Sequence, residues 1–265
     1  MGDLFLASQR RPSNVVFDLD GVVFLGGNTI TGSGEALAAI AARGIRIVFA
    51  TNNATRTTDY IAARIENGTG YTPDPGSIAT SATSAVAALG PDDDPILVVG
   101  EAGLIETLTT AGRVVTSSGA AATTVIVGLD RRVTYEKLER ASTAIRGGAR
   151  FVATNTDVTF PTPEGPVPGA GTIVAAVAAA SGAEPEVMGK PHPAMVRHVS
   201  ALLAEGDTWM VGDRPETDLA LARAAGWVTV LTLTGITTDR SAVAAEYGPD
   251  LVIDSIADLV QVFAQ

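Results

Sequence analysis

The chain has 265 residues, 46% of them hydrophobic and 18% charged, with no cysteine and a formal net charge of −11 at pH 7. That composition can bury a sizeable core, as one large domain or two modest ones. The acidic balance argues against nucleic-acid binding and against attachment to an anionic membrane, and the absence of cysteine excludes disulfides, thiolate metal sites and a cysteine nucleophile. Any phosphate site in so acidic a protein needs local compensation by a metal ion or a lysine. Met1 to Asn14 lacks the basic start and long apolar run of a secretory signal, and no apolar run is long enough to span a bilayer. The expectation is a soluble cytoplasmic protein, a monomer or a homodimer, without nucleic-acid or membrane partners.

The first element follows Asn14: Val15, Val16 and Phe17 are a short apolar run of the kind that forms a strand buried on both faces. It ends in Asp18-Leu19-Asp20-Gly21, two carboxylates and a glycine that lets the backbone turn. Like charges placed that close need a cation or a shared proton, so the segment resembles a metal-assisted reaction site at the carboxyl end of a strand. Gly26-Gly27-Asn28 reads as a turn, and Ser33 as the N-cap of a helix over Glu35 to Arg43 that stops at Gly44. Ile45 to Ala50 is a second apolar strand. It leads through Thr51-Asn52-Asn53-Ala54-Thr55-Arg56 into a helix over Thr58 to Glu66. Hydroxyl and amide groups at such a junction can cradle an anion with backbone N–H groups and the helix dipole.

From about Ile78 to Glu186 the chain is rich in Ala, Thr, Ser and Gly and has its own strand–helix rhythm. Strands are expected over Ile96 to Gly100, Val125 to Val127 and Arg150 to Ala153, and helices over Glu101 to Thr110, Tyr135 to Arg146 and Gly171 to Ala180. Asn155 to Pro163 and the Gly/Pro-rich stretch after it read as a fixed, exposed loop without regular structure. The first texture then returns. Gly189-Lys190-Pro191-His192-Pro193 opens a helix to Ala204, with His192 read as a loop histidine. Trp209-Met210-Val211 is a buried strand ending in Gly212-Asp213-Arg214-Pro215-Glu216-Thr217-Asp218, followed by a helix over Pro215 to Ala225 that stops at Gly226. Trp227 to Leu233 and Leu251 to Ile253 read as the last strands, and Ser255 with Asp258 as the capping box of the final helix.

Three segments thus share one design, an apolar strand, then polar residues, then a helix: Asp18 with Asp20, Thr51 with Asn52, and Asp213 with Asp218. In an open parallel sheet the carboxyl ends of all strands lie along one edge, where ligands bind. Carboxylates gathered there suit Mg²⁺, a hard cation that prefers oxygen, while Thr51 and Lys190 supply a hydroxyl and a positive charge for a phosphoryl group.

These residues resemble the motifs of the haloacid dehalogenase superfamily. Asp18-Leu19-Asp20-Gly21-Val22 is similar to its first motif, Thr51 to its second, Lys190 to its third, and Gly212-Asp213 through Asp218 to its fourth. Thr51-Asn52-Asn53, Ala153-Thr154-Asn155 and Gly189-Lys190-Pro191 resemble the NagD-like, p-nitrophenyl phosphatase branch. The resemblance implies an α/β protein with a Rossmann-like parallel core, residues 1–78 and 187–265, and an inserted α/β cap, residues 79–186. The interval from Asp20 to Thr51 is too short for a domain, whereas that from Thr51 to Lys190 holds one easily.

The resemblance also implies a Mg²⁺-dependent phosphatase of small phosphorylated metabolites: glycerol phosphate, phosphoglycolate, sugar phosphates or nucleotides, with p-nitrophenyl phosphate as a surrogate. Asp18 is the implied nucleophile and Asp20 the general acid and base. Asp18, the main-chain carbonyl of Asp20 and Asp213 are the implied metal ligands, with Asp218 behind them. Thr51, Asn52 and Lys190 are implied at the phosphate, and Asn53, Asn155, Asp157 and Phe160 at the leaving group. Asp20 favours phosphate monoesters over halides, which leave without a proton. The rival expectations are a phosphoryl-acceptor signalling module and a metabolite-binding protein without turnover.

Overall fold

A computed structural model describes residues 11–162, 165–240 and 246–264. Most of the N-terminal segment discussed above, residues 1–10, and the end of the proline-rich loop, Pro163, lie outside the described residues. Strands β1 (Asn14–Phe17), β2 (Phe24–Leu25), β3 (Asn28–Thr29), β4 (Arg46–Thr51) and β5 (Ile78–Thr80) open the chain. Strands β6 (Ile96–Val99), β7 (Val115–Thr116), β8 (Thr124–Val127), β9 (Arg150–Ala153), β10 (Thr159–Thr162), β11 (Gly165–Pro168) and β12 (Glu186–Val187) follow. Strands β13 (Thr208–Gly212), β14 (Val228–Thr232) and β15 (Leu251–Ile253) close it. The chain forms two compact units, one of Met1–Thr51, Thr58–Ala79 and Val196–Gln265, the other of Asn52–Thr57 and Thr80–Met195. No helix among the described residues is long and apolar enough to cross a membrane.

The first unit is organised by a sheet in the order β15-β14-β13-β1-β4-β5. Strand β1 lies between β13 and β4, parallel to both, with Phe17 opposite Val211 on one side and Phe49 on the other. Every residue of β1 and of β13 is buried, as expected of strands covered on both faces. The rings of Phe17 and Phe49 lie 6.1 Å apart, those of Trp209 and Phe263 5.4 Å apart, within one apolar cluster. Each such ring contributes roughly 1.5–3 kcal/mol by leaving water.

The second unit is a parallel sheet in the order β12-β9-β8-β6-β7. Alternation along its strands sorts residues to two faces. Leu97, Val99, Val125 and Val127 pack with helices Tyr135–Arg146 and Ala170–Ser181, while Ile96, Ile126 and Val152 pack with Ala82, Ala85, Leu104 and Leu108 on the other side.

Two expectations are corrected. Ser33 is not an N-cap: helix Ser33–Ala41 starts one residue after Gly32, and the Ser33 hydroxyl donates to the carbonyl of Val23 at 3.4 Å. The proline-rich stretch is not irregular, because β10 and β11 form an antiparallel ribbon pairing Thr159 with Pro168, Phe160 with Val167, Pro161 with Pro166 and Thr162 with Gly165. The three prolines on the ribbon, Pro161, Pro166 and Pro168, fall on alternate pairs, whose N–H groups a two-stranded ladder leaves unused, so the missing donors cost nothing.

Candidate active site

From β1 the chain winds outward through β4 to β5, and from β13 it winds the other way through β14 to β15. The sheet order therefore reverses between β1 and β13, and a crevice opens at their carboxyl ends. Asp18 follows β1 directly, its N–H donating to the carbonyl of Val211 at 2.9 Å, and Asp213 follows β13. Thr51, 3% exposed, is the last residue of β4 on the other flank of β1. Asp18, Asp213 and Asp218 each offer a carboxylate oxygen to one cluster whose atoms all lie within 4.8 Å of one another. They are 8%, 2% and 0% exposed.

The surroundings of Asp213 leave it little freedom. Its Oδ2 accepts a 2.6 Å hydrogen bond from the N–H of Ile236. A Cβ placed on Gly235 would lie 1.9 Å from that same oxygen, and one on Gly21, whose φ is +97°, 2.4 Å from the Asp213 Cγ. Glycine is required at both positions because the backbone itself walls the carboxylate. The Thr234 hydroxyl donates to the Gly21 carbonyl at 2.6 Å, tying the two walls together. Nothing in the sequence reading singled out Thr234, Gly235 or Ile236. The only signal is a Thr-Gly pair just past an apolar strand.

Asp218 stands in a π-helical turn, Pro215–Leu219, that precedes helix Ala220–Ala225, where a plain helix was expected. Such a turn re-aims a side chain that regular helix would direct elsewhere. Its Oδ2 accepts the N–H of Arg214 at 3.1 Å, so Asp218 caps its own turn as well as joining the cluster.

The carboxylate of Asp20 is outside that trio. Its side chain is 47% exposed, with Oδ1 3.7 Å from Nη1 of Arg64 on helix Thr58–Thr69. The turn carrying it is tight: the carbonyl of Leu19 accepts from the N–H groups of Val23 and Phe24, and Gly21 N–H donates to Phe24 O at 2.6 Å.

The remaining sequence candidates belong to the second unit, where Asn52 is the centre of a network. Its Oδ1 accepts the Lys190 N–H at 2.7 Å, and its Nδ2 donates to the Lys190 carbonyl and to Asp157 Oδ2, each at 3.2 Å. Its main-chain carbonyl accepts from the Ser81 hydroxyl at 2.6 Å and from Asn155 Nδ2 at 2.8 Å. Asn155 Oδ1 in turn accepts the Asp157 N–H at 3.1 Å. Asn53 closes a local turn, its Oδ1 accepting from the N–H and hydroxyl of Thr55. Phe160 lies on the ribbon with the Arg131 guanidinium 5.7 Å from its ring centre. Burial pushes the His192 imidazole below its ordinary value.

The acid cluster fits Mg²⁺. Three buried carboxylates at this separation repel unless a cation or proton intervenes, and the donors are all oxygen.

Comparison with known proteins follows the same line. The haloacid dehalogenase-like hydrolase profile matches residues 15–114, and a HAD-hydrolase-like profile matches residues 187–259. A dihydroxyacetone phosphatase of Corynebacterium glutamicum is 38% identical over 248 residues, spanning 91% of this chain and 88% of that protein. The solved p-nitrophenyl phosphatase from Archaeoglobus fulgidus superposes with a TM-score of 0.88 at 31% identity, covering 95% of this chain and 99% of the other. A glycerol phosphate phosphatase from Mycobacterium tuberculosis, solved in complex with magnesium, gives 0.86 at 33% identity, covering 96% and 78%.

Proposed function

The chain belongs to the haloacid dehalogenase superfamily, in its NagD-like, p-nitrophenyl phosphatase branch, and from that premise we propose how its residues divide the work. The protein is a Mg²⁺-dependent phosphatase of small phosphate monoesters. The observation that carries the assignment of roles is the convergence of Asp18, Asp213 and Asp218 at the reversal of strand order.

Asp18 attacks phosphorus in line, forming an aspartyl-phosphate as the bond to the leaving oxygen breaks. Asp20 gives that oxygen its proton. It then takes one from the water that attacks the aspartyl-phosphate, and inorganic phosphate leaves as Asp18 is regenerated. Asp18, Asp213 and the main-chain carbonyl of Asp20 would hold Mg²⁺, with Asp218 completing the oxygen cluster. When bound, the ion supplies charge neutralisation for the transferring phosphoryl oxygens. Thr51 and Lys190 bind the other phosphate oxygens. Asn52, expected at the phosphate, has its amide committed to Lys190 and Asp157, and its role is to place Lys190.

We read residues 79–186 as the inserted cap and Asn53, Asn155, Asp157 and Phe160 as the determinants of leaving-group choice. Three-carbon phosphates, namely dihydroxyacetone phosphate and glycerol phosphate, are the substrates to test first, given what the similar enzymes act on. Phosphoglycolate, sugar phosphates and nucleotides come next. The protein is read as cytoplasmic, and as a monomer or homodimer. The test is phosphate release from p-nitrophenyl phosphate with and without Mg²⁺, in the wild type and in Asp18→Asn. Mg²⁺-dependent release that Asp18→Asn abolishes supports the assignment, and undiminished release in that variant contradicts it.

A further inference from the structure

We propose that Arg64 is a positioning residue for Asp20, acting on the step in which the leaving oxygen takes its proton; this rests on the role given to Asp20 above. The guanidinium makes two contacts at once. Nη1 is 3.7 Å from Asp20 Oδ1, and the guanidinium carbon is 3.9 Å from the centre of the Phe24 ring. Phe24 is 2% exposed and closes the turn that carries Asp20: the backbones of Asp20 and Phe24 are bridged, and Gly21 N–H donates to the Phe24 carbonyl. Arg64 therefore stacks on the residue that anchors the turn and sets its charge beside the acid as an ion pair.

The helix bearing Arg64 is held tightly against this turn. Gly68 lies one helical turn on, on the same face. A Cβ there would meet Thr29 Oγ1 at 2.4 Å and Phe24 Cε1 at 3.0 Å, so helix Thr58–Thr69 packs directly on the β2–β3 hairpin. An ion pair this exposed contributes little to stability. Its consequence is orientation: a planar guanidinium stacked on a buried ring presents a fixed donor edge to the carboxylate, which a flexible ammonium does not.

The test uses a series of ring-substituted phenyl phosphates, from p-nitrophenyl phosphate to phenyl phosphate, with kcat/KM as the readout. That ratio includes departure of the leaving group, and a poor leaving group depends most on the proton from Asp20. In Arg64→Gln, kcat/KM is expected to fall by about tenfold on phenyl phosphate and by about twofold on p-nitrophenyl phosphate, a fraction of what loss of a general acid costs. Arg64→Lys should recover part of the loss, and Arg64→Gln should add nothing in the Asp20→Asn background. Equal losses across the series, or a further loss on top of Asp20→Asn, would overturn the inference. If Arg64→Gln does not fold, as judged by Tm, Arg64→Lys carries the same comparison. Wild type without activity on any member, or activity retained in Asp18→Asn, would count against the phosphatase mechanism instead. A flat leaving-group dependence in Asp20→Asn alone would count against the role of Asp20.

Discussion

At the carboxyl ends of β1 and β13 the first unit gathers Asp18, Asp213 and Asp218 within 4.8 Å. In the second unit, also a parallel sheet flanked by helices, five acids are each matched to a base instead. Asp130 pairs with Lys137 at 2.6 Å, Glu101 with Arg131 at 2.8 Å, Asp94 with Arg113 at 3.2 Å, and Asp93 and Glu186 with the same Arg150. One architecture thus serves two ends. Matched pairs hold a unit together at small net gain, whereas crowded buried carboxylates cost folding energy and make sense only beside a cation. Function lies in how charge is placed on the fold rather than in the fold itself.

The largest effect belongs to the acid cluster. Asp18→Asn removes the nucleophile while keeping its shape, and kcat for p-nitrophenyl phosphate should drop by at least about 10³-fold. Next is the wall around Asp213. Gly235→Ala puts a methyl group where the Asp213 oxygen stands, and Mg²⁺ affinity, read from the activation curve, should weaken by about 10–100-fold. In the second unit the expected readout is stability and KM. Asn52→Ala removes the hydrogen bonds that Asn52 makes to the Lys190 N–H and to the Asp157 carboxylate, which should cost about 1–3 kcal/mol in denaturant unfolding and raise KM.

The smallest effect is pH-dependent. Burial alone would push the Asp93 carboxyl up, but the Gly90 N–H, Arg150 and Thr124 outweigh it and hold the group below its ordinary value of 3.8. A folded value below the unfolded one contributes stability above about pH 3.8 that is lost as pH falls through the folded value. Asp93→Asn should therefore lower stability at pH 7 in denaturant unfolding, and the difference from wild type should shrink below pH 3.8. If it instead grows towards acid, the pairing of charges in the second unit is not what holds Asp93 down.

How much of this was legible in the sequence depends on how far apart the interacting residues are. Helix Tyr135–Arg146 and strands Arg150–Ala153 and Leu251–Ile253 were readable to the residue, because periodicity and punctuation are local. Asp18, Asp213 and Asp218 stood out as acids at strand ends, and a parallel sheet brings such ends together. The β10–β11 ribbon was not legible: prolines argue against strands unless their register is known, and register is a property of the pair. The π-turn under Asp218, the Ile236 N–H on Asp213 and the Arg64 stack on Phe24 were hidden for the same reason. Each joins a residue with no distinctive local signal to a partner set by the tertiary fold.

The central claim, that acids following β1 and β13 form one Mg²⁺ site, is tested most directly by Tm in the presence and absence of Mg²⁺, for wild type and Asp213→Asn. Wild type should gain several degrees with Mg²⁺, since a ligand bound only by the folded state stabilises it. Asp213→Asn, relieved of one crowded charge, should melt about 2–4 °C above wild type without metal and gain little with it. Equal Mg²⁺-induced shifts in the two proteins would contradict the claim.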